Sequence, residues 1–467
     1  MEKIELSIWD FSVIVLYFVI LGYIGIKSGK KTRNDAEDYL LASRKLTLPA
    51  FVATLVSTWY GGILGIGEFI YNYGILNWFA MGLPYYIFAI IFAFFLAGRI
   101  RNKNQFTIPD LLYNEYGKVP GLIGSVLVFI LVTPAPYYLM IGYILSVILG
   151  LPFWISFFIG AIASTFYLFR GGFKSVVSTD ILQFILMFLG FLILFSICVI
   201  KLGGFEYLKG NLPDTHLEPL GGQRFSFLVV WFFIAMWTIV DPAFYQRCYS
   251  AINQKTAKNG MLVSVLFWMI FDFLTLSVGL YARANLEGIN PTLSFIILSD
   301  KLLPPFLKGL FFVAIFATIM STMDSLSFLS SMTFARDIIW RNSKNSDESK
   351  VNNYTRFGII LTIGLSTVLV MFFPSVVSIW YVVGSIVIPS LLVSVLDAIF
   401  DRKLLNTKTS GLILVIPFIA NLFWIVYGYA NASNGSPSYL FGVEPFFVGI
   451  VLAGIIIVIN ILVQKRT

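Results

Sequence analysis

Five oxygen-bearing side chains, Thr318, Ser321, Thr322, Asp324 and Ser325, stand within about two helical turns in the run 316-FATIMSTMDSLSFLSS-331. At helical spacing Ser321, Asp324 and Ser325 share one face, with Thr318, Thr322 and Ser325 along an adjacent stripe. Hydroxyls and a carboxylate at that density are hard donors, the ligand type that alkali and alkaline-earth cations prefer. One helix can supply half a coordination shell. The other half must come from a second element, ideally one with free backbone carbonyls. The stretch 53-ATLVSTWYGGILGIGEF-69 can offer them, because Gly61, Gly62, Gly65 and Gly67 weaken its helix. Serine and threonine also bond back to the preceding turn or join neighbouring helices. That plainer reading suits Ser327, Ser330 and Ser331.

The elements that must position these residues lie in a membrane. Of 467 residues, 58% are hydrophobic and 12% charged, where a soluble domain carries about 25% charged residues. A transmembrane helix needs about 20 apolar residues. Thirteen such segments are legible, at 7–27, 47–73, 76–99, 121–149, 151–169, 180–201, 225–246, 259–282, 304–334, 354–373, 376–399, 411–430 and 444–464. The fold class is therefore all-α, a polytopic membrane protein with 13 transmembrane helices. The formal charge of +8 is distributed by topology and is no nucleic-acid footprint. With the N-terminus outside, 25 of the 32 basic residues fall in inner loops, which places the C-terminus in the cytoplasm of a cell-membrane protein. Two cysteines and one histidine give no disulfide framework, and no nucleophile–base or metal constellation marks an enzyme. Within 100–120, TIPDLLYNEYG has the Pro and Gly punctuation of a short surface helix.

An exposed carboxylate in hydrocarbon is costly, yet Glu68, Asp180, Asp241, Asp272 and Asp324 fall in or at the edges of spans. The basic residues cluster at span ends, so these acids are expected to lack embedded cationic partners. An interior of that kind has negative potential and suits a cation path. Asp241–Pro242 also interrupts segment 7, as the glycines interrupt segment 2. Broken helices at matching positions of two halves are the mark of inverted-repeat transporters.

Several motifs make the chain resemble the sodium:solute symporter family. They are 38-DYLLASRKL-46, the STWYGGILG region with Tyr71 and Gly74, 171-GGFKSVVSTDILQF-184, and MSTMDS followed by Arg336–Asp337; QRCYSA (246–251) is also similar. The resemblance implies a leucine-transporter-type 5+5 inverted repeat within a single transporter domain, residues 1–467. The repeat core would span about 47–400, with peripheral helices at 7–27, 411–430 and 444–464. It implies a sodium ion between segments 2 and 9, held by the hydroxyls of Ser321 and Thr322 and the carbonyl of Thr318. Two further carbonyls come from Leu55 and Thr58, or from Ala53 and Val56 in a shifted register. Some family members hold a second sodium one turn away, which maps onto Asp180, Asp324 and Ser325, with Asp324 replacing a hydroxyl. Asp180, Ser321, Asp324 and Ser325 would then form a cation relay. By position, Trp59, Tyr60, Glu68, Tyr85, Tyr137 and Trp237 line the solute pocket. Aromatic rings beside acids suit a cationic or zwitterionic solute, hence a small organic amine or amino acid. The expected function is sodium-coupled import by alternating access. The alternative is a membrane solute sensor that binds without transport.

Overall fold

The computed structural model describes residues 4–29, 36–343, 351–432 and 437–464, with the backbone alone at 29, 36, 163–171, 351–353 and 356. Among the topology-setting residues, Lys3, Lys30, Lys31, Arg33, Lys344, Lys350, Lys465 and Arg466 lie outside the described residues, as do the side chains of Arg170 and Arg356. The described residues form helices joined by short connections and no β-strand.

Among the described residues, eleven helices are long and apolar enough to cross a bilayer, and two shorter apolar helices stand where the remaining two of the expected segments lie. In chain order they are span 1 (Ile8–Ser28), span 2 (Leu48–Tyr73), span 3 (Trp78–Lys103), span 4 (Lys118–Leu149), span 5 (Phe153–Ile162), span 6 (Gly172–Leu202) and span 7 (Phe225–Ser250). Then come span 8 (Gln254–Asn285), span 9 (Leu307–Asn342), span 10 (Phe357–Phe372), span 11 (Val376–Phe400), span 12 (Thr407–Ala430) and span 13 (Pro445–Gln464). Spans 5 and 6 belong to one continuous helix, Phe153–Leu202, broken at Gly172 with φ 56°. A backbone there can turn left-handed only at low cost without a Cβ.

Burial separates centre from periphery. Over an apolar 18-residue stretch of each span, buried residues make up 89% in spans 9 and 11 and 83% in span 2, against 28% in span 1 and 22% in span 13. The outer faces of spans 1 and 13 carry exposed Val15, Leu16, Val458 and Ile459, a surface suited to acyl chains. Span 1 is nevertheless tied to span 9. Asp10 Oδ1 accepts from the backbone N–H groups of Phe306 and Gly309 at 2.9 and 2.7 Å. That carboxylate takes up two of the donors which a helix start leaves unpaired.

Two spans are broken where the sequence suggests. In span 2, helix Leu48–Trp59 gives way to a 3₁₀ turn at Tyr60–Gly62 before helix Ile63–Tyr73 resumes. In span 7, Asp241 is extended (φ −72°, ψ 113°), and its Oδ1 caps the next helix by accepting from Ala243 N–H at 2.7 Å. Pro242 follows at the first helical turn, where it needs no N–H donor. The start of span 2 and the end of span 7 are joined by backbone bonds: Leu46 N–H to the Ser250 carbonyl (3.0 Å) and Ile252 N–H to the Leu46 carbonyl (3.2 Å).

The TIPDLLYNEYG segment is a helix, Ile108–Tyr116, with Thr107 accepting from Asp110 N–H as its N-cap. Arg336 ties it to span 9, reaching both Asp110 oxygens at 3.0 Å and Asp337 at 2.7 Å.

Candidate functional site

The break in span 2 faces the polar stripe of span 9. Gly61 is required there by close approach, since a Cβ at this position would lie 1.8 Å from Thr322 Oγ1. At Gly62 a Cβ would meet the Trp380 ring at 2.0 Å. The two spans therefore come as near as backbone and side chain allow. Thr322 Oγ1 donates to the Thr58 carbonyl at 2.5 Å, with the Ser57 carbonyl at 3.5 Å. Ser321 Oγ donates to Asp180 Oδ1 at 2.7 Å, so its proton is engaged and its lone pairs stay available to a cation.

Carbonyls of both span 2 registers accept hydrogen bonds. The Val56 carbonyl accepts from Tyr60 N–H, and the Ala53 carbonyl accepts from Ser57 Oγ at 2.8 Å. The Thr58 carbonyl faces Thr322. Leu55 is fully buried on the same helix. Thr318 lies one turn before Ser321 and Thr322; its own hydroxyl bonds back to the Ala314 carbonyl at 2.7 Å. The arrangement thus brings Thr58, Ser321, Thr322 and Asp180 together, with Thr318 adjacent along the helix. Asp324 is buried within electrostatic reach of Tyr17 and Tyr138.

One residue alters the electrostatics that the sequence suggests. The embedded acids do have a cationic neighbour: Arg247, at the end of span 7, is fully buried and 3.7 Å from Asp180. Its position near the predicted end of segment 7 places it with the inner-loop basics when only span boundaries are used. The break at Asp241 instead carries helix Pro242–Ser250 inward with every residue buried. Arg247 Nη2 donates to Thr58 Oγ1 (2.7 Å), Ser325 Oγ (2.9 Å) and Thr54 Oγ1 (3.0 Å). Thr54 in turn donates to Asp180 Oδ2. The QRCYSA motif was the available signal for Arg247; nothing in the spacing marked Thr54.

Beside this cluster a cavity of about 110 Å³ opens between spans 2, 3, 4, 7, 8, 9 and 11. Its walls include Trp59, Tyr60, Tyr85, Tyr137, Trp231, Trp237, Phe244 and Trp380. Asp241 and Asp272 are the charged residues that line it. Trp59 sits at the centre of the aromatic packing, with Tyr85 at 4.7 Å, Trp268 at 5.3 Å and Phe244 at 5.5 Å between ring centroids. Tyr86 OH donates to Asp272, and Tyr60 OH donates to the Trp268 carbonyl at 2.8 Å. Five of the six residues assigned to the pocket by position thus line the cavity. Glu68 does not: it accepts from Ser375 at 2.7 Å and Thr292 at 3.0 Å, one helical stretch away. Trp231 and Trp380 were not foreseen, because isolated tryptophans in apolar spans carry no signal of the face they occupy.

Residues 39–408 match the sodium:solute symporter family. A sodium/pantothenate symporter of Haemophilus influenzae is 26% identical, covering 90% of this chain and 91% of the relative. A high-affinity choline transporter of Drosophila melanogaster is 24% identical, covering 85% of this chain and 68% of the relative. Among solved structures, a substrate-bound, outward-open sodium-coupled sialic acid symporter superposes with a TM-score of 0.76 at 18% identity, covering 98% of this chain and 97% of that one. That likeness establishes the fold, the leucine-transporter-type inverted repeat.

Proposed function

The chain belongs to the sodium:solute symporter family, and from that premise we propose which ion site, solute class and orientation it uses. It is a sodium-coupled secondary symporter of a small organic solute and not an enzyme. Sodium binds between spans 2 and 9, to the hydroxyls of Ser321 and Thr322 and the carbonyls of Leu55, Thr58 and Thr318. The Thr58 carbonyl, which faces Thr322 of span 9 at 2.5 Å, supports this register over the alternative at Ala53 and Val56. The chain is read as one transporter domain with its repeat core at about 47–400.

One observation carries the coupling: Thr58 and Thr322 belong both to the ion site and to the cavity wall. A cation that fixes these two residues also fixes part of the solute's surroundings. Sodium and solute must then raise each other's affinity by the same factor. Rocking of one repeat against the other would deliver both to the opposite side.

The solute is a small cationic amine. Aromatic faces and two carboxylates line the cavity, and a cation over a tryptophan or tyrosine face gains about 0.5–2 kcal/mol, more as it is desolvated. An anionic solute would find no lining guanidinium or ammonium group among the described residues. The distribution of basic residues supports a cell-membrane protein with its N-terminus outside.

The test is uptake of labelled choline, and of a panel of primary amines, amino acids and monocarboxylates, into proteoliposomes holding the purified chain. Saturable accumulation of an amine driven by an inward sodium gradient, and not by potassium, is the expected result. Preference for an anionic solute would overturn the solute class. Sodium-dependent binding without uptake of any probe would favour the sensor.

A further inference from the structure

The family resemblance maps a second sodium onto Asp180, Asp324 and Ser325, but the cation already seated against Asp180 and Ser325 leaves no room for one. We infer that Arg247 is the resident cation of that second position, so that a single sodium accompanies each solute. The inference rests on the ion site proposed between spans 2 and 9.

The geometry is that of a coordination shell with a nitrogen at its centre. Arg247 Nη2 has Thr58 Oγ1 at 2.7 Å, Ser325 Oγ at 2.9 Å, Thr54 Oγ1 at 3.0 Å and Asp180 Oδ2 at 3.7 Å. These oxygens come from spans 2, 9 and 6. A hard cation of sodium's size takes oxygens at about 2.3–2.6 Å, so an ion bound to the same four atoms would coincide with that nitrogen. A guanidinium keeps its charge at every physiological pH. Two positive charges cannot share the place.

The guanidinium is also held there. Its central carbon lies over the Phe173 ring, 5.2 Å from the centroid. Nη1 reaches the Ala243 carbonyl and Gln246 Oε1, both at 3.4 Å. Helix Pro242–Ser250, which begins at the Asp241 break, delivers it from within the membrane segment. The same hydroxyl cluster has a second consequence. Thr58 gives its hydroxyl to Arg247 and its carbonyl to Thr322. The immobile charge therefore sets the position of a sodium ligand while neutralising Asp180, whose other oxygen holds Ser321.

Counting bound ²²Na⁺ on purified full-length protein, with sodium as the only probe, tests this. Wild type should saturate at one sodium per chain, and Arg247→Gln at two, a twofold rise in capacity, because Asp180 and the three hydroxyls become free. Wild type at two sodiums overturns the inference, as does Arg247→Gln remaining at one. Wild type at zero overturns the underlying sodium site instead. Should Arg247→Gln fail to fold, the Asp180→Asn/Arg247→Gln pair removes both charges together and must still bind one sodium; two would refute the assignment.

Discussion

Replacing Thr322 by valine removes one oxygen from the ion site while keeping the shape that fits against Gly61. In the proposed shell this hydroxyl is one of five ligands. A contact between a neutral polar group and a charge is worth about 1.5–3 kcal/mol net. At about 1.4 kcal/mol per tenfold, the loss is roughly 10- to 150-fold in sodium affinity. The variant also deprives the buried Thr58 carbonyl of the donor it holds at 2.5 Å, a cost to stability of about 1–3 kcal/mol. Sodium-dependent thermal unfolding of the purified protein separates the two effects. The baseline Tm in potassium reports the stability loss. The rise of Tm with sodium concentration follows RT ln(1 + [Na⁺]/Kd) and reports the affinity. Thr322→Ser restores the hydroxyl and should return the sodium midpoint to near the wild-type value. A folded Thr322→Val protein with an unchanged sodium midpoint would refute the ion site, since no other reading of this hydroxyl predicts a sodium-specific shift.

Gly61→Ala should be harsher, because its Cβ would stand 1.8 Å from Thr322 Oγ1 and force spans 2 and 9 apart; more than a tenfold loss of sodium affinity is expected in the same unfolding assay. Asp241→Asn keeps a good helix cap but removes a cavity charge, so KM for the transported amine should rise by about 10-fold or more, at about 1.5–3 kcal/mol for a contact with a charged group, while the sodium midpoint stays nearly constant. His216 lies in the loop between spans 6 and 7, with Nε2 3.0 Å from the Tyr71 carbonyl. Burial, aided by the nearby Arg283 charge, holds its pKa below the usual 6.5. A depressed histidine contributes stability that is present above the unfolded value and is lost as pH falls below about 6.5 toward the folded pKa; Tm should drop between pH 7.5 and 5.5, and His216→Gln should flatten that drop.

The sequence displayed the architecture well because hydropathy and glycine content are local properties. Among the described residues, eleven of the thirteen apolar runs became helices long enough to cross a bilayer and two became shorter apolar helices, while the span 2 glycines and Asp241–Pro242 became real breaks. The Ser321–Thr322 pair was legible because hydroxyls in hydrocarbon need a partner. What stayed hidden depended on rotation and depth. Arg247 sits at a span end by sequence, yet the break at Asp241 turns it inward to full burial. Glu68 is in the right span for the cavity but faces Ser375 and Thr292. Two residues along a helix are separated by about 200° of rotation, so a span assignment alone cannot say which wall a side chain joins.

A single sodium per cycle would be a weak drive for a neutral cargo, and the solute's charge decides whether it suffices. Each positive charge entering gains about 2.3 kcal/mol per 100 mV. Sodium with a zwitterion therefore draws about 2.3 kcal/mol from that potential, a roughly 40-fold accumulation at about 1.4 kcal/mol per tenfold. Sodium with a monocationic amine draws about 4.6 kcal/mol, roughly 2,000-fold, before any sodium gradient is added. The cavity's two acids and the resident Arg247 thus belong to one economy of charge: the protein supplies the second cation of the ion site itself, and the cargo brings its own. In proteoliposomes clamped with potassium and valinomycin, the accumulation of the amine should change about 100-fold per 60 mV, the slope of two charges per cycle. A slope of three charges would restore the second sodium and displace Arg247 from its role; a slope of one would show that the transported solute carries no net charge.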